Sequence, residues 1–304
     1  MGPCVSVLLN RFNDDAIMVL QADHPVGAAT VAFLLGEDDF PVVAGVQDTS
    51  NPDLGDLKNA KLVRATIGQP KLEKVFKENN VGRLLLVISG SEDVGKKVKS
   101  TLKSAAAAGV GYIGCVSTAT ASYSGTLFAN LYAPIEGDIK KSKIPFTIFR
   151  LTMPLDIYLT TAEKVRTMGK FVFPLMRSVR CTFIDVEDAA AAIGVVMLEP
   201  LMHLSRTYTF AGTRHTVREF VYKLGSALGK EIKYECVSLS DWRKDMIEEG
   251  LPTWRVEGGV EVIHMCNKVE YDFSSVDRYP MICKNRRKTK LETWINEHLS
   301  FFQS

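Results

Sequence analysis

The sequence predicts an α/β protein: a doubly wound parallel sheet followed by a smaller C-terminal α/β lobe. Three observations predict it. Apolar β-type runs and helical segments alternate from Ala16 to Leu151, the order that right-handed crossovers build into a parallel sheet. One run, Arg83–Ile88 (RLLLVI), reads as continuously apolar between Gly82 and Gly90, as suits a strand buried on both faces. After Leu151 the pattern breaks into shorter, local β and α pieces. At 304 residues the chain is long enough for a large core and two lobes.

The elements follow in order. Ala16–Leu20 (AIMVL) is the first strand, and a turn leads into a helix rich in Ala and Leu that runs to Leu35. In a Rossmann-type fold this strand–turn–helix holds the pyrophosphate of a dinucleotide. Phe40–Val46 is the next strand, Asp48–Asn59 is polar and turn-rich, and Lys61–Ala65 is the third strand. A helix spans Pro70–Asn79, with Pro70 in its first turn. Asp93–Ala108 is a helix with Gly109 as its C-cap. Gly111–Val116 is the fifth strand, Leu127–Ser142 a helix and Phe146–Leu151 the sixth strand. Thr182–Val186 is a strand, and the Ala-rich helix Glu187–Leu198 must pack closely on a neighbour. Thr216 and Glu219 form a capping box that opens the helix to Leu228. Further strands fall at Thr207–Phe210 and Glu231–Val237. Helices fall at Ser240–Glu249, Trp254–Met265 and Lys290–Phe301. The expected division is a Rossmann-like lobe over 1–154, to which 182–198 returns, and a smaller substrate or partner lobe over 155–304.

Composition is that of an ordinary globular protein, 46% hydrophobic and 24% charged. A net charge of +2 calls for neither nucleic acid nor an acidic membrane as partner. The six cysteines are scattered without a C-x-x-C pair, the pattern of free thiols. No signal peptide or membrane-spanning stretch is read, so the expected location is cytoplasmic, with the nucleus as an alternative. Met1–Ser6 fits a myristoylation pattern formally, although Pro3 beside Gly2 argues against it.

The candidate cofactor turn is Gln21-Ala22-Asp23-His24-Pro25-Val26-Gly27. The dinucleotide fingerprint wants glycine for the tight turn, for close approach of the pyrophosphate and for helix–strand packing. Those places hold Gln21, His24 and Gly27, so only the third glycine remains. Asp23 adds negative charge beside the phosphate position or caps the helix, and His24 is a candidate phosphate contact. Asp48 follows Gly27 at close to the roughly 20-residue spacing of the acidic residue that reads the ribose 2′-hydroxyl; alternatively, Asp48–Pro52 is simply a turn. Gly109-Val110-Gly111-Tyr112-Ile113-Gly114 matches G-x-G-x-x-G but leaves a helix to enter a strand, the reverse of the required order. None of the nine tyrosines has Lys four residues later, so a Tyr–Lys proton relay is absent. The five histidines show no metal spacing, and no metal is expected. The basic run Lys284–Lys290 is a nuclear signal, an acidic-partner patch or a solvated loop.

The second half adds a resemblance. The segments FPL (Phe173–Leu175), FIDVEDAAAAIGVVMLEP (Phe183–Pro200), YTFAG (Tyr208–Gly212), TVREFVYKLGSALGKEIKYECVSLSDW (Thr216–Trp242) and EEGLPTW (Glu248–Trp254) keep an order and spacing that resemble the NmrA-like proteins, atypical members of the short-chain dehydrogenase/reductase superfamily. The resemblance implies a Rossmann lobe, a small substrate lobe and, in many members, bound NAD(P). It implies either a redox-sensing regulator that binds dinucleotide without turnover or an NADPH-dependent quinone reductase. This chain departs from the pattern at the turn, where relatives carry G-A-T-G-x-x-G. It departs again at Gln47, where NADP-preferring relatives carry Arg, and at Tyr132, where many carry Lys. By the same carry-over and by strand ends, Ser89, Ser117, Tyr132 and Leu155 are the expected lining of a cleft between lobes.

The expected function is therefore a non-catalytic or weakly catalytic NAD(P)-binding-fold sensor or regulator with a degenerate dinucleotide site. NAD(P) would bind weakly or not at all, and the partner would be a protein or a small ligand in the cleft. The alternative is an NAD(P)H-dependent oxidoreductase acting on quinones or carbonyl compounds.

Overall fold

The computed structural model describes residues 15–37, 40–88, 91 and 93–303. The Met1–Ser6 pattern and the candidate Ser89 lie outside them. The described chain divides into two compact units. The first comprises the described residues within 15–124, 129–150 and 189–208, and the second those within 125–128, 151–188 and 209–303.

The first unit is built on a seven-stranded sheet. Its strands are β1 (Ala16–Leu20), β2 (Val42–Val46), β3 (Lys61–Arg64), β4 (Val81–Val87), β5 (Tyr112–Thr118), β6 (Phe146–Leu151) and, later in the chain, Arg206–Phe210. The spatial order is Arg206–Phe210, β6, β5, β4, β1, β2, β3. The ladders of β1 with β2 and β4, of β2 with β3 and of β4 with β5 are parallel. Every residue of β1, β2 and β4 is buried, which is why these strands read as apolar runs without alternation. Sheet order reverses between β1 and β4, so ligands of such sheets sit outside the carboxyl ends of these two strands.

The crossover helices are α1 (Pro25–Leu35), α2 (Leu72–Glu78), α3 (Val94–Ala108) and α4 (Leu127–Lys141). The helix expected at Pro70 starts at Leu72, because Lys71 adopts a left-handed conformation (φ 67°). Gly109 closes α3 at φ 81°, which accounts for the misleading glycine motif. Residues 186–198 form the Ala-rich helix. A methyl group at its Gly194 would lie 2.2 Å from the Phe33 ring of α1, so the expected close neighbour is α1.

The second unit contains β7 (Met153–Pro154), α5 (Ala162–Met168), β8 (Lys170–Phe173), β9 (Arg180–Ile184), α6 (Val186–Leu198, whose later residues belong to the first unit), β10 (Arg206–Phe210, likewise shared), β11 (Arg214–Thr216) and α7 (Val217–Leu228). Then come β12 (Lys233–Cys236), α8 (Leu239–Glu248), α9 (Thr253–Asn267), α10 (Tyr279–Ile282), α11 (Leu291–Glu297) and α12 (Leu299–Phe302). Strands β11, β9 and β7 form one small sheet, and β12 pairs in parallel with β8 in another. The capping box forms as expected: the Glu219 N–H donates to Thr216 Oγ1 at 3.1 Å, and the Thr216 N–H donates to Glu219 Oε2 at 3.0 Å. The single helix expected over Lys290–Phe301 is two, broken at His298.

The core of this unit is aromatic. Tyr158 is surrounded by Phe171, Phe173, Phe183 and Phe220, with ring centroids 4.2–5.4 Å away. His215 stacks on Phe183 at 4.8 Å, and its ring nitrogens lie 3.3 Å from the Tyr158 hydroxyl and 3.3 Å from Thr213 Oγ1. Burial disfavours the imidazolium and pushes the His215 pKa from 6.5 down to about 4. The folded state therefore holds fewer protons than the unfolded state between these values. Its stability is complete above pH 6.5 and falls as pH drops toward 4, by about 3 kcal/mol if no other group intervenes. Urea melts of wild type and His215→Phe across this window check the expectation: the wild type should lose stability to acid more steeply than the variant.

Candidate functional site

The turn after β1 folds, and the structure shows what each substitution in it does. Gln21 takes the first glycine's place in the left-handed region, at φ 59°. For a side chain other than glycine this costs about 1–2 kcal/mol. The His24 N–H donates to the Gln21 carbonyl at 3.0 Å, and the Ala22 N–H donates to Gly45 O at 3.0 Å. Both turn amides are thus committed within the protein. His24, not Asp23, is the N-cap of α1, in extended conformation and without a side-chain cap, while Asp23 is exposed. Pro25 at the first helical position has no N–H. The first-turn amides of Val26 and Gly27 therefore receive no side-chain cap.

Gly27 is required by packing. A methyl there would lie 2.5 Å from the Gln21 carbonyl oxygen and 3.0 Å from Ala22 Cα. The one glycine kept is the one that lets α1 lie against the end of β1, whether or not a ligand binds. The two replaced are those whose absence leaves the fold possible.

Beside the turn, at the carboxyl ends of β1–β3, lies a pocket of about 840 Å³. Gln21 and Gln47 line it, with Arg64 and Thr66 after β3, Lys71 before α2, and Ser91 and Lys97 around the start of α3. Three cations face it, and no carboxylate is among its lining residues. Lys97 also pairs with Asp93 at 3.0 Å. Asp48 does not line the pocket. Its carboxylate accepts from the Ser50 N–H at 2.9 Å and from Ser50 Oγ at 2.7 Å, and these bonds hold its pKa below the usual value. This is the polar-turn arrangement, and it turns the carboxylate toward its own loop.

At the end of β5 sits a second constellation. Ser117, 5% exposed, donates to Glu136 Oε1 at 2.8 Å. Glu136 is 2% exposed and also accepts a two-pronged contact from Arg150, with Nε at 2.9 Å and Nη2 at 2.7 Å. Glu136 stands four residues after Tyr132, where a Tyr–Lys relay would have its lysine. The Tyr132 hydroxyl donates to the Ile88 carbonyl at 3.1 Å, tying α4 to the end of β4. Both hydroxyls thus already give their protons to protein oxygens. Leu155 is buried in the second unit. Sequence reading missed Glu136 and Arg150; the signal was an Arg inside the apolar strand FTIFRL and an acid on the buried stripe of α4.

Among the described residues no cluster of His, Cys, Asp and Glu can hold a metal ion. None of their helices is long and apolar enough to cross a membrane.

Two substitutions test this geometry by chemical denaturation. Gln21→Gly should stabilise the protein by about 1 kcal/mol through relief of the left-handed side chain. Glu136→Gln should cost about 3 kcal/mol, because Arg150 keeps its charge in a largely buried place.

No protein-family profile matches the chain, and no curated protein matches it in sequence. Solved structures do match its fold. The triphenylmethane reductase of Citrobacter sp., complexed with NADP(H), is 21% identical over 93% of this chain and 99% of that chain, with a TM-score of 0.77. An NADPH-dependent quinone oxidoreductase from Escherichia coli, complexed with NADPH, is 21% identical over 92% and 99%, at 0.76. NmrA, a negative transcriptional regulator solved with NADP, is 12% identical over 95% and 96%, at 0.75. The chain thus has the Rossmann-type fold, with its C-terminal lobe, that is common to NmrA and to these two reductases.

Proposed function

We propose that this protein is a redox sensor or regulator that binds NAD(P) weakly, favours the phosphorylated dinucleotide and transfers hydride slowly or not at all. The observation that supports it is the pocket at the ends of β1–β3, with Arg64, Lys71 and Lys97 on its wall and no carboxylate. Three cations and the side-chain amides of Gln21 and Gln47 suit phosphate oxygens, and the uncapped amides of Val26 and Gly27 suit a further anionic group. The donor set fits the cofactor. The turn opposes it: Gln21 and His24 bring side chains to positions where glycine would let phosphate reach backbone, and Asp23 adds negative charge nearby.

NAD(P)H, when bound, supplies a hydride. This chain's own part would be to hold phosphate with Arg64, Lys71 and Lys97. The proton of Ser117 is held at Glu136 and that of Tyr132 at the Ile88 carbonyl. With no lysine beside Tyr132, neither group is tuned to donate to a substrate oxygen. The second reading, an NAD(P)H-dependent oxidoreductase acting on quinones or carbonyl compounds, draws on the two reductase-like neighbours. It also draws on quinone chemistry, because hydride transfer from a cofactor to a quinone can proceed without a Tyr–Lys pair.

Calorimetric titration with NADPH tests the proposal. Gln21→Gly/His24→Gly should bind about tenfold tighter than wild type, equivalent to about 1.4 kcal/mol. Equal affinity would place the obstacle elsewhere and overturn the role given to the turn. Rapid oxidation of NADPH by wild type with menadione would favour the oxidoreductase reading.

A further inference from the structure

A second groove lies wholly within the second unit and is used by nothing above. It measures about 810 Å³ and runs between α7 and the start of β12. Arg177, Arg218, Lys230 and Lys233 line it, with Glu231 as the one carboxylate. Among the described residues none of these four cations has a carboxylate partner, although neighbouring charges pair readily, as in Lys170–Glu235 and Arg180–Glu219. Tyr222 stands on the α7 wall with 76% of its surface exposed. A large aromatic side chain this exposed beside unpaired cations is the composition of a binding surface.

The backbone supplies the second observation. Among the described residues strand β12 pairs with β8 alone, and its Lys233 N–H donates to Gly169 O at 3.0 Å. In a parallel ladder alternate residues point their polar groups to opposite sides, so the groups of Tyr234 and Cys236 face away from β8. On that side the Tyr234 carbonyl accepts from the Arg177 guanidinium at 3.3 Å, with Arg177 lying over the Tyr234 ring at 5.6 Å. Charged residues alone can protect such an edge from unwanted pairing, but protection does not need a groove of this size.

From an edge of β12 that no other described strand pairs, and from the matching charge, we propose that this groove binds an acidic, extended peptide segment of a partner protein, added as a strand beside β12 with Arg177 turning from the Tyr234 carbonyl to the peptide's carboxylates. The proposal gives the protein contacts of the regulator a location, and rests on that reading only for its biological sense. Fluorescence anisotropy of a fluorescein-labelled alternating Glu-Val peptide tests it, on the full chain without dinucleotide, so that its outcome is separate from that of the NADPH titration. Val favours the extended backbone and Glu supplies the charge. The expected result is saturable binding that weakens about tenfold or more in Arg218→Glu/Lys230→Glu and falls with added salt. Methylation of alternate peptide nitrogens should abolish it, a readout that needs no protein variant. A Lys-Val peptide should not bind. Arg177→Glu/Lys233→Glu serves if the first variant fails to fold. Absence of binding by the Glu-Val peptide, equal binding by the methylated peptide or by a charge-reversed variant, or tighter binding of single-stranded oligothymidylate would overturn the proposal.

Discussion

The approach of α1 to the carbonyl of Gln21 is the constraint on which the first unit depends. At 2.5 Å from that oxygen a Cβ on Gly27 has no room. Without that contact the first crossover helix cannot lie against the end of β1, the strand paired with both β2 and β4. This separates two roles that the dinucleotide fingerprint normally merges. One glycine serves the fold, and the others serve the ligand and the ease of the turn. The fold-bearing one is present. At the other two places the protein accepts a left-handed glutamine and a histidine at the helix cap, and the turn amides of Ala22 and His24 close onto the protein itself. The packing of α1 on the carboxyl end of β1 is preserved, and the turn that joins them is altered.

The same separation recurs at β5. In place of a lysine that would prepare a tyrosine to give up a proton, Glu136 gathers Ser117 and Arg150 into a buried group. In such a group the Ser117 hydroxyl and the Arg150 guanidinium are committed to one buried carboxylate, which orders all three side chains. The cationic pocket at β1–β3 and the closed hydrogen bonds at β5 belong to one unit and favour the same reading, binding without much chemistry.

Much of this was legible in the sequence, for identifiable reasons. Strands buried on both faces announce themselves as apolar runs, so β1, β2 and β4 were found to within a few residues. Thr216 and Glu219 announced a helix start, and Gly109 a helix end, because caps are local chemistry. What depended on distant partners was not legible. Strand β8 has four residues, and its pairing with β12 lies far along the chain. The Ser117–Glu136–Arg150 group joins a strand end, a helix and the next strand, and each residue alone looks ordinary. The left-handed conformation of Gln21 could be suspected from the missing glycine. That Asp48 turns its carboxylate to Ser50 could be weighed only as one of two outcomes.

The most direct test is thermal stabilisation of the purified protein by NADPH, NADP, NADH and NAD, from micromolar to millimolar ligand. A ligand present at one hundred times its dissociation constant adds about 2.7 kcal/mol, which in a chain of this size moves the melting temperature by several degrees. A shift that appears only toward millimolar ligand, larger for NADPH and NADP than for NADH and NAD, is the result expected of a cationic pocket beside an altered turn. No shift with any of the four, or a strong shift already at micromolar NAD, would contradict it.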